Sequence, residues 1–398
     1  MRTSHGVAVA LGAGFQLATA APVCGGGSTS DTLWVTTYPI GDGAGELLTL
    51  KLEGSKLSSV ATSDTCGPFP SWLTQVDDVL YCVNEAWGGQ NGDLAALQIG
   101  ADSSFTVLSS GKTVGGPVST IVYGNEGRGL AVADYAGGGI DTFDISDPAA
   151  IKTLVSKVFP GRDDGAAPPQ EQARPHEAIL DPTGEFLVFP DLGADLIRVL
   201  KVDKATLEYT EKPSYEFARG TGPRHGAFYQ SGDNTYFYVV CELSNLLQGF
   251  SVAYNEDSSL TFTQLYNATT HGATDALPEE TAAAEIFLAP NSNFLTVSSR
   301  FERELSYTVA NGTEVASDPL ITFSIDAEGQ LTHVQTAPAG GINPRHFSFN
   351  SDGSRVASAL QSDGRVVIFE RDVTTGKIGK VVAETDVAGM PNFVSFKQ

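Results

Sequence analysis

The sequence predicts an all-β fold in which seven similar sheets close into a ring, and three observations carry that expectation. The first is the stretch 174–203, RPHEAILDPTGEFLVFPDLGADLIRVLKVD. It reads as three short apolar strands, 174–180, 186–189 and 196–202, separated by the turns Asp181-Pro182-Thr183-Gly184 and Asp191-Leu192-Gly193. Proline presets φ at the second position of a turn, glycine tolerates positive φ, and aspartate accepts local backbone hydrogen bonds. The second is recurrence. The residues leading each copy, Pro70, Pro117, Pro175, Pro223, Ala284, Pro344 and Pro391, stand 47 to 61 residues apart, a repeat of roughly 40 to 60 residues, the range of propeller blades. The third is that the chain ends are complementary. Residues 391–396 are a leading strand with nothing after it, while 33–38 and 46–52 are return and outer strands with no leading strand before them. Joined, they complete a seven-bladed β-propeller, its ring closed by the C-terminal strand entering the N-terminal blade. Closure protects the sheet edges that an open array would leave bare.

Taken in order, residues 1–20 have the form of a secretory signal. Arg2 gives a short basic start, 6–17 are apolar, and Ala18-Thr19-Ala20 is a small-residue cleavage pattern. Cleavage after Ala20 leaves 21–398 as one propeller domain. The apolar run is too short and too rich in glycine and alanine to serve as a membrane anchor. The expected product is secreted and monomeric, with the cell wall as one expected location, and with Asn267-Ala268-Thr269 and Asn311-Gly312-Thr313 as glycosylation sites. Of Cys24, Cys66, Cys82 and Cys241, a pairing of Cys24 with Cys66 is preferred. A hairpin turning at residues 76–78 puts Cys82 opposite Trp72, and an extended chain then carries Cys66 on the order of 20 Å away. Cys82 and Cys241 sit inside apolar runs and read as buried thiols. The Pro/Gly-rich stretch 161–172 falls inside the repeat series and is therefore a long loop rather than a domain boundary.

Charge narrows the function. A net charge of −23 repels nucleic acid and anionic membranes at long range, so neither is expected as a partner. The sequence has no close-spaced histidine pair, no Cys-x-x-Cys, no phosphate loop and no Gly-x-Ser-x-Gly elbow. The expectation is chemistry without a metal or other cofactor.

The leading strand of a blade lines the ring axis, so equivalent residues converge there. Directly after the leading position stand Ser71, Val118, His176, Arg224, Glu285, Arg345 and Asn392, and the return strands end near Glu85, Asp134, Asp191, Glu242, Arg300 and Gln361. A chain with only 24 lysines and arginines thus gathers Arg224, Arg300 and Arg345 with His176 at one opening, a suitable pocket for a small anion or sugar acid. The bland alternatives are specific. The Pro-Arg-His units can be turn chemistry with arginines in structural ion pairs, Asp191 and Asp134 can cap turns, and alternation along a strand sends His225 and His346 to the far side.

With Arg174-Pro175-His176, Pro223-Arg224-His225, Pro344-Arg345-His346, Asp181-Pro182-Thr183-Gly184 and the strand-end Glu85 and Glu242 in view, the chain resembles the seven-bladed propeller lactonases. These include carboxymuconate lactonizing enzyme (carboxymuconate cyclase) and the propeller type of 6-phosphogluconolactonase. The resemblance implies a lactone-forming cycloisomerase or a lactone hydrolase, with His176, Arg224, Glu242 and Arg300 as the catalytic set. Arg345, Glu85 and Gln361 are the expected substrate-binding residues. In that scheme the arginines hold a carboxylate and stabilise developing negative charge, His176 supplies a proton, and Glu242 orients or acts as base. The competing function is a non-catalytic secreted propeller that binds carbohydrate or protein at a cell surface or wall.

Overall fold

A computed structural model describes residues 30–87, 91–161, 168–272, 277–290 and 293–397. The expected leader and Cys24 lie outside these residues. Seven four-stranded antiparallel sheets follow one another along the chain. Blade 2 comprises Pro70–Val76, Val79–Asn84, Asp93–Ile99 and Phe105–Lys112, from the axis outward. Blade 3 begins at Pro117–Tyr123, blade 5 at Pro223–Ser231, blade 6 at Ala282–Leu288 and blade 7 at Pro344–Phe349. In blade 4 the inner strand is reduced to Ile179–Leu180, with Pro175 bridged separately to Asp191. Four inner strands start at the expected proline. Proline has no N–H to donate, and the first position of a strand is where that loss costs least. An additional hairpin, Leu305–Thr308 with Glu314–Ser317, is inserted in blade 6. The described residues hold no α-helix.

Blade 1 is shared between the two chain ends, as the sequence predicts. Met390–Phe396 is its inner strand and pairs with Ser30–Tyr38, matching Leu33 to Phe396, Val35 to Val394 and Tyr38 to Met390. Thr36 Oγ1 donates to Asn392 Oδ1 at 2.5 Å across the join, and Asn392 Nδ2 reaches Pro70 O of the next blade at 2.9 Å.

The core is radial. Each sheet is apolar on both faces, and one apolar layer fills each gap between neighbours: Leu33, Val35 and Leu50 against Ala357, Val366 and Ile368, for example, or Phe186 and Val188 against Phe237 and Val239. The buried strands therefore read as continuous apolar runs without the in–out alternation of a half-exposed sheet.

One expectation is overturned here. Cys66 pairs with Cys82, their Cα atoms 5.8 Å apart, and Cys241 is a buried free thiol. Cys82 lies opposite Leu73, not Trp72. Residues 64–69 also leave the strand direction: Gly67 N–H closes a turn on Asp64 O, and Phe69 N–H bonds to Asn84 Oδ1. That crossover folds Cys66 back into the apolar layer between blades 1 and 2, beside Leu73 and Leu80. The extended-chain distance does not apply to a segment that turns.

Candidate active site

The inner strands carry a shared irregularity. In blades 2, 3, 5 and 7 the register skips one residue just after the leading proline, so that Ser71, Val118, Arg224 and Arg345 are extra residues without a partner of their own. Asn392 occupies the same place in blade 1, and blade 6 sets Ala284 and Glu285 against a single residue. A bulge of this kind bends the strand and re-aims its side chains. All seven residues expected at the axis, Ser71, Val118, His176, Arg224, Glu285, Arg345 and Asn392, line one central cavity.

The bulge also corrects the expectation for His225 and His346. Strict alternation would turn them away, but with an extra residue before them both enter the same cavity, together with Trp72. Trp72 sets its ring edge-on to both, 5.7 Å from His225 and 5.2 Å from His346 between centroids. The free volume left is about 10 Å³, room for about one water.

The outer layer of the site is built around Glu242. Its Oε2 lies 2.9 Å from Arg224 Nε, at ion-pair distance without hydrogen-bond alignment, and its Oε1 lies 2.9 Å from Arg300 Nη2. Both arginines are anchored to the inner strand of blade 6: Arg224 Nη1 donates to Ala284 O at 2.6 Å, and Arg300 donates to Ala282 O and Ala283 O at 3.1 Å each. Arg224 is 1% exposed, whereas the Glu242 side chain retains 23%. Burial opposes the Glu242 carboxylate, but Arg300 and Arg224 outweigh it and hold its pKa below the ordinary value. Burial pulls Arg224 down to about 10, against the attraction of Glu242. The guanidinium is still charged at neutral pH.

Arg345 belongs to a second group. Its Nη2 is 3.7 Å from Glu85 Oε1 and its guanidinium carbon 5.4 Å from the Tyr38 ring centroid. Glu85 accepts hydrogen bonds from the Tyr38 hydroxyl and from Trp87 Nε1. Gln361 does not join: its backbone N–H bonds to Asn343 O, and its side chain is not part of the cavity wall. Asp191 is fully buried and accepts from Arg174 N, Ala194 N and Arg198 Nε, which is the structural alternative foreseen for it. Asp134 is buried beside Asp141 within blade 3.

His176 sits against the Tyr135 ring, 5.2 Å between centroids, and its Nδ1 is 3.0 Å from His225 Nε2. Burial first, then Arg224, His225 and Arg345, push its pKa well below the usual value. It is a neutral ring near pH 7, able to accept a proton and return it. His225 is held low in the same way, by burial and then Arg224 and Arg345, and burial lowers His346 to about 4. Beneath them Glu177, His225 and Glu285 bring ligand-type atoms within 4.8 Å of one another. Each is engaged within the protein. Both His225 nitrogens are hydrogen-bonded, to His176 and to Glu285, and Glu177 Oε2 accepts from Gly226 N at 2.7 Å.

Tyr38 and Tyr135 escaped the sequence reading although a signal was present. Glu85 and Glu242 each stand one residue past the partner of the leading proline, and Tyr135 holds that place in blade 3, as Tyr38 does in blade 1. Counting from the proline, rather than from the apparent end of the strand, finds both.

Residues 32–396 match the family described as "Lactonase, 7-bladed beta-propeller". The chain is 30% identical to a probable 6-phosphogluconolactonase of Arthroderma benhamiae, over 80% of this chain and 78% of that one. It is 26% identical to the 6-phosphogluconolactonase of Bacillus subtilis, over 75% and 79%. Among solved structures, a periplasmic gluconolactonase of Pseudomonas aeruginosa superposes with a TM-score of 0.71 at 24% identity, covering 92% of this chain and 99% of its own.

Proposed function

Because the chain belongs to the lactonase family of seven-bladed β-propellers, we propose that it hydrolyses the lactone of a small sugar acid at the axial mouth formed by His176, Arg224, Glu242, Arg300 and Arg345. The observation that carries this reading is a buried neutral imidazole set beside guanidinium groups that are locked to backbone carbonyls. A neutral imidazole can take a proton from water as that water attacks the lactone carbonyl. Arg224 and Arg300, held in place before substrate arrives, stabilise the oxyanion at low reorganisation cost. The proton then passes from His176 to the departing ring oxygen. Glu242 orients the two arginines and tempers their charge, so that the product acid can leave.

Hydrolysis is favoured over lactone formation because the named relatives are 6-phosphogluconolactonases. Export is part of the same proposal. The leader pattern and the Cys66–Cys82 disulfide suit an oxidising compartment, and Asn267 and Asn311 are exposed, as glycan acceptors must be.

The test is acid release from gluconolactone, 6-phosphogluconolactone and a carboxymuconolactone, followed with a pH indicator on the wild type and His176→Ala. The expected result is hydrolysis of at least one sugar-acid lactone, with kcat lowered roughly 10²- to 10⁴-fold in the variant and KM little changed. Equal turnover by His176→Ala rejects the assignment. Sugar-acid binding with no turnover by either protein supports a binding propeller instead.

A further inference from the structure

The cavity beneath His176 holds a chain of groups that the hydrolytic scheme leaves unused. We propose that His225, Glu285 and His346 are positioning residues that fix the tautomer of His176, directing the unprotonated Nε2 of its ring toward the lactone. The proposal rests on the reading of His176 as the base, and it deepens that reading by naming what keeps the base ready.

The polarity of the chain follows from two main-chain amides. Val394 N–H points at His346 Nδ1 at 3.3 Å. An amide nitrogen only donates, so Nδ1 carries the lone pair and the single hydrogen of the neutral ring lies on Nε2. Glu285 Oε2 lies 3.6 Å from that nitrogen, an ion-pair distance, and neither atom has a hydrogen bond among the described residues. The second amide, Ile286 N–H, donates to Glu285 Oε1 at 3.0 Å. Both carboxylate oxygens are thus turned toward hydrogens, which favours the ionised form.

With Glu285 ionised, the rest is determined. His225 Nδ1, 2.8 Å from Oε1, must be a donor. Its Nε2 then carries a lone pair, His176 Nδ1 donates across the 3.0 Å contact, and His176 Nε2 is left without a hydrogen. No other hydrogen bond to that nitrogen exists among the described residues. A proton placed on Glu285 Oε1 reverses every member: it would donate to His225 Nδ1, His225 Nε2–H would donate to His176, and His176 Nε2 would become a donor.

The surroundings oppose that reversal. Glu285 is faced by His225, His346, Glu177, Arg224 and Arg345, and His176 by Tyr135, His225, Arg224 and Arg345. Burial raises both Glu285 and Glu177, but Glu177 is driven further by burial and the nearby Glu285 charge, whereas His346 and Arg224 pull Glu285 back. Of the two, Glu285 has Ile286 N–H on one carboxylate oxygen and His346 Nε2 facing the other, and on that geometry it is the one assigned the ionised form.

The experiment reads the tautomer directly, by nitrogen-15 NMR of the imidazoles in the full chain, and pairs it with kinetics. In the wild type the His176 Nε2 resonance is expected in the unprotonated range at neutral pH. His225→Phe removes the acceptor for His176 Nδ1. It should give mixed His176 tautomers and lower kcat on the order of 10²-fold with KM within about threefold. His225→Gln supplies an amide oxygen at the same place and should restore both signals. Glu285→Gln removes the charged end and should move the acid limb of the kcat/KM profile to lower pH, where His176 itself titrates. A wild-type spectrum with hydrogen on His176 Nε2 overturns the proposal without any variant, as does a His225→Phe tautomer identical to wild type. If the tautomers behave as stated while His176→Ala retains turnover, the chain of bonds stands and the assignment of His176 as the base falls.

Discussion

Removing the chain from Pro391 onward tests whether closure of the ring holds the molecule together. The deletion takes the inner strand out of blade 1, leaving Leu33, Trp34 and Val35 bare on one side. It also takes Phe393, Val394 and Phe396, which are 3%, 0% and 7% exposed, out of the layers between blades 1, 2 and 7. At about 1.5–3 kcal/mol for each buried side chain, the apolar loss alone is roughly 5–9 kcal/mol. Asn392, which ties Thr36 to Pro70 O across two blades, adds two hydrogen bonds at about 1 kcal/mol each. Native domains have only about 5–15 kcal/mol in total, so the truncated chain should be unfolded or lack a cooperative transition. Far-ultraviolet circular dichroism during urea denaturation, with the full chain as control, makes the comparison. A cooperative truncated chain, with its midpoint close to that of the full chain, would show that six sheets and a three-stranded remnant suffice and would refute the reasoning.

Replacing Cys66 and Cys82 together by serine opens a loop spanning 16 residues and should cost about 3 kcal/mol, read as a lower urea midpoint that reductant no longer changes; an unchanged midpoint would remove the bond's stabilising role. Burial, and then the Asp141 charge, raise the pKa of Asp134 well above that of a free carboxyl, so its contribution to stability is intact below the ordinary carboxylate range and declines as pH rises through the elevated value. Asp134→Asn should therefore stabilise the fold at neutral and higher pH by on the order of 1–2 kcal/mol and flatten the pH dependence, which denaturation across a pH series would measure. Arg224→Lys keeps the charge but loses the planar pair of donors that can grip a carboxylate; a loss of about 1.5–3 kcal/mol in that contact corresponds to a roughly tenfold to hundredfold fall in affinity for the product acid, measured by calorimetry.

The radial plan was legible because it is written in local chemistry. Proline is tolerated where an inner strand begins, so Pro70, Pro117, Pro223 and Pro344 mark the blades directly. Convergence of His176, Arg224, Glu285 and Arg345 followed from the repeat alone. What the sequence concealed was register. A bulge is one residue of backbone slack with no side-chain signature, so counting by twos placed His225 and His346 on the wrong side and hid the hydrogen-bonded chain. The disulfide was hidden for a related reason: Gly67, at φ 81°, permits a turn that brings Cys66 back toward Cys82.

The same bulge has a consequence for how such a site changes over time. A regular strand offers the axis every second residue, so altering one contact leaves its neighbour facing elsewhere. Here consecutive residues of one strand make different contacts: Arg224 meets Glu242, while His225 bonds to His176 and Glu285. Two adjacent codons thus set an oxyanion-binding cation and a link of the hydrogen-bonded chain, and a change at Arg224 also acts on His176 through its charge. A variant library confined to Ser71, Val118 and Asn392 would vary the cavity wall while retaining His176, Arg224, His225, Glu285 and His346. Natural drift in the same positions would yield relatives with different ligands and a common floor.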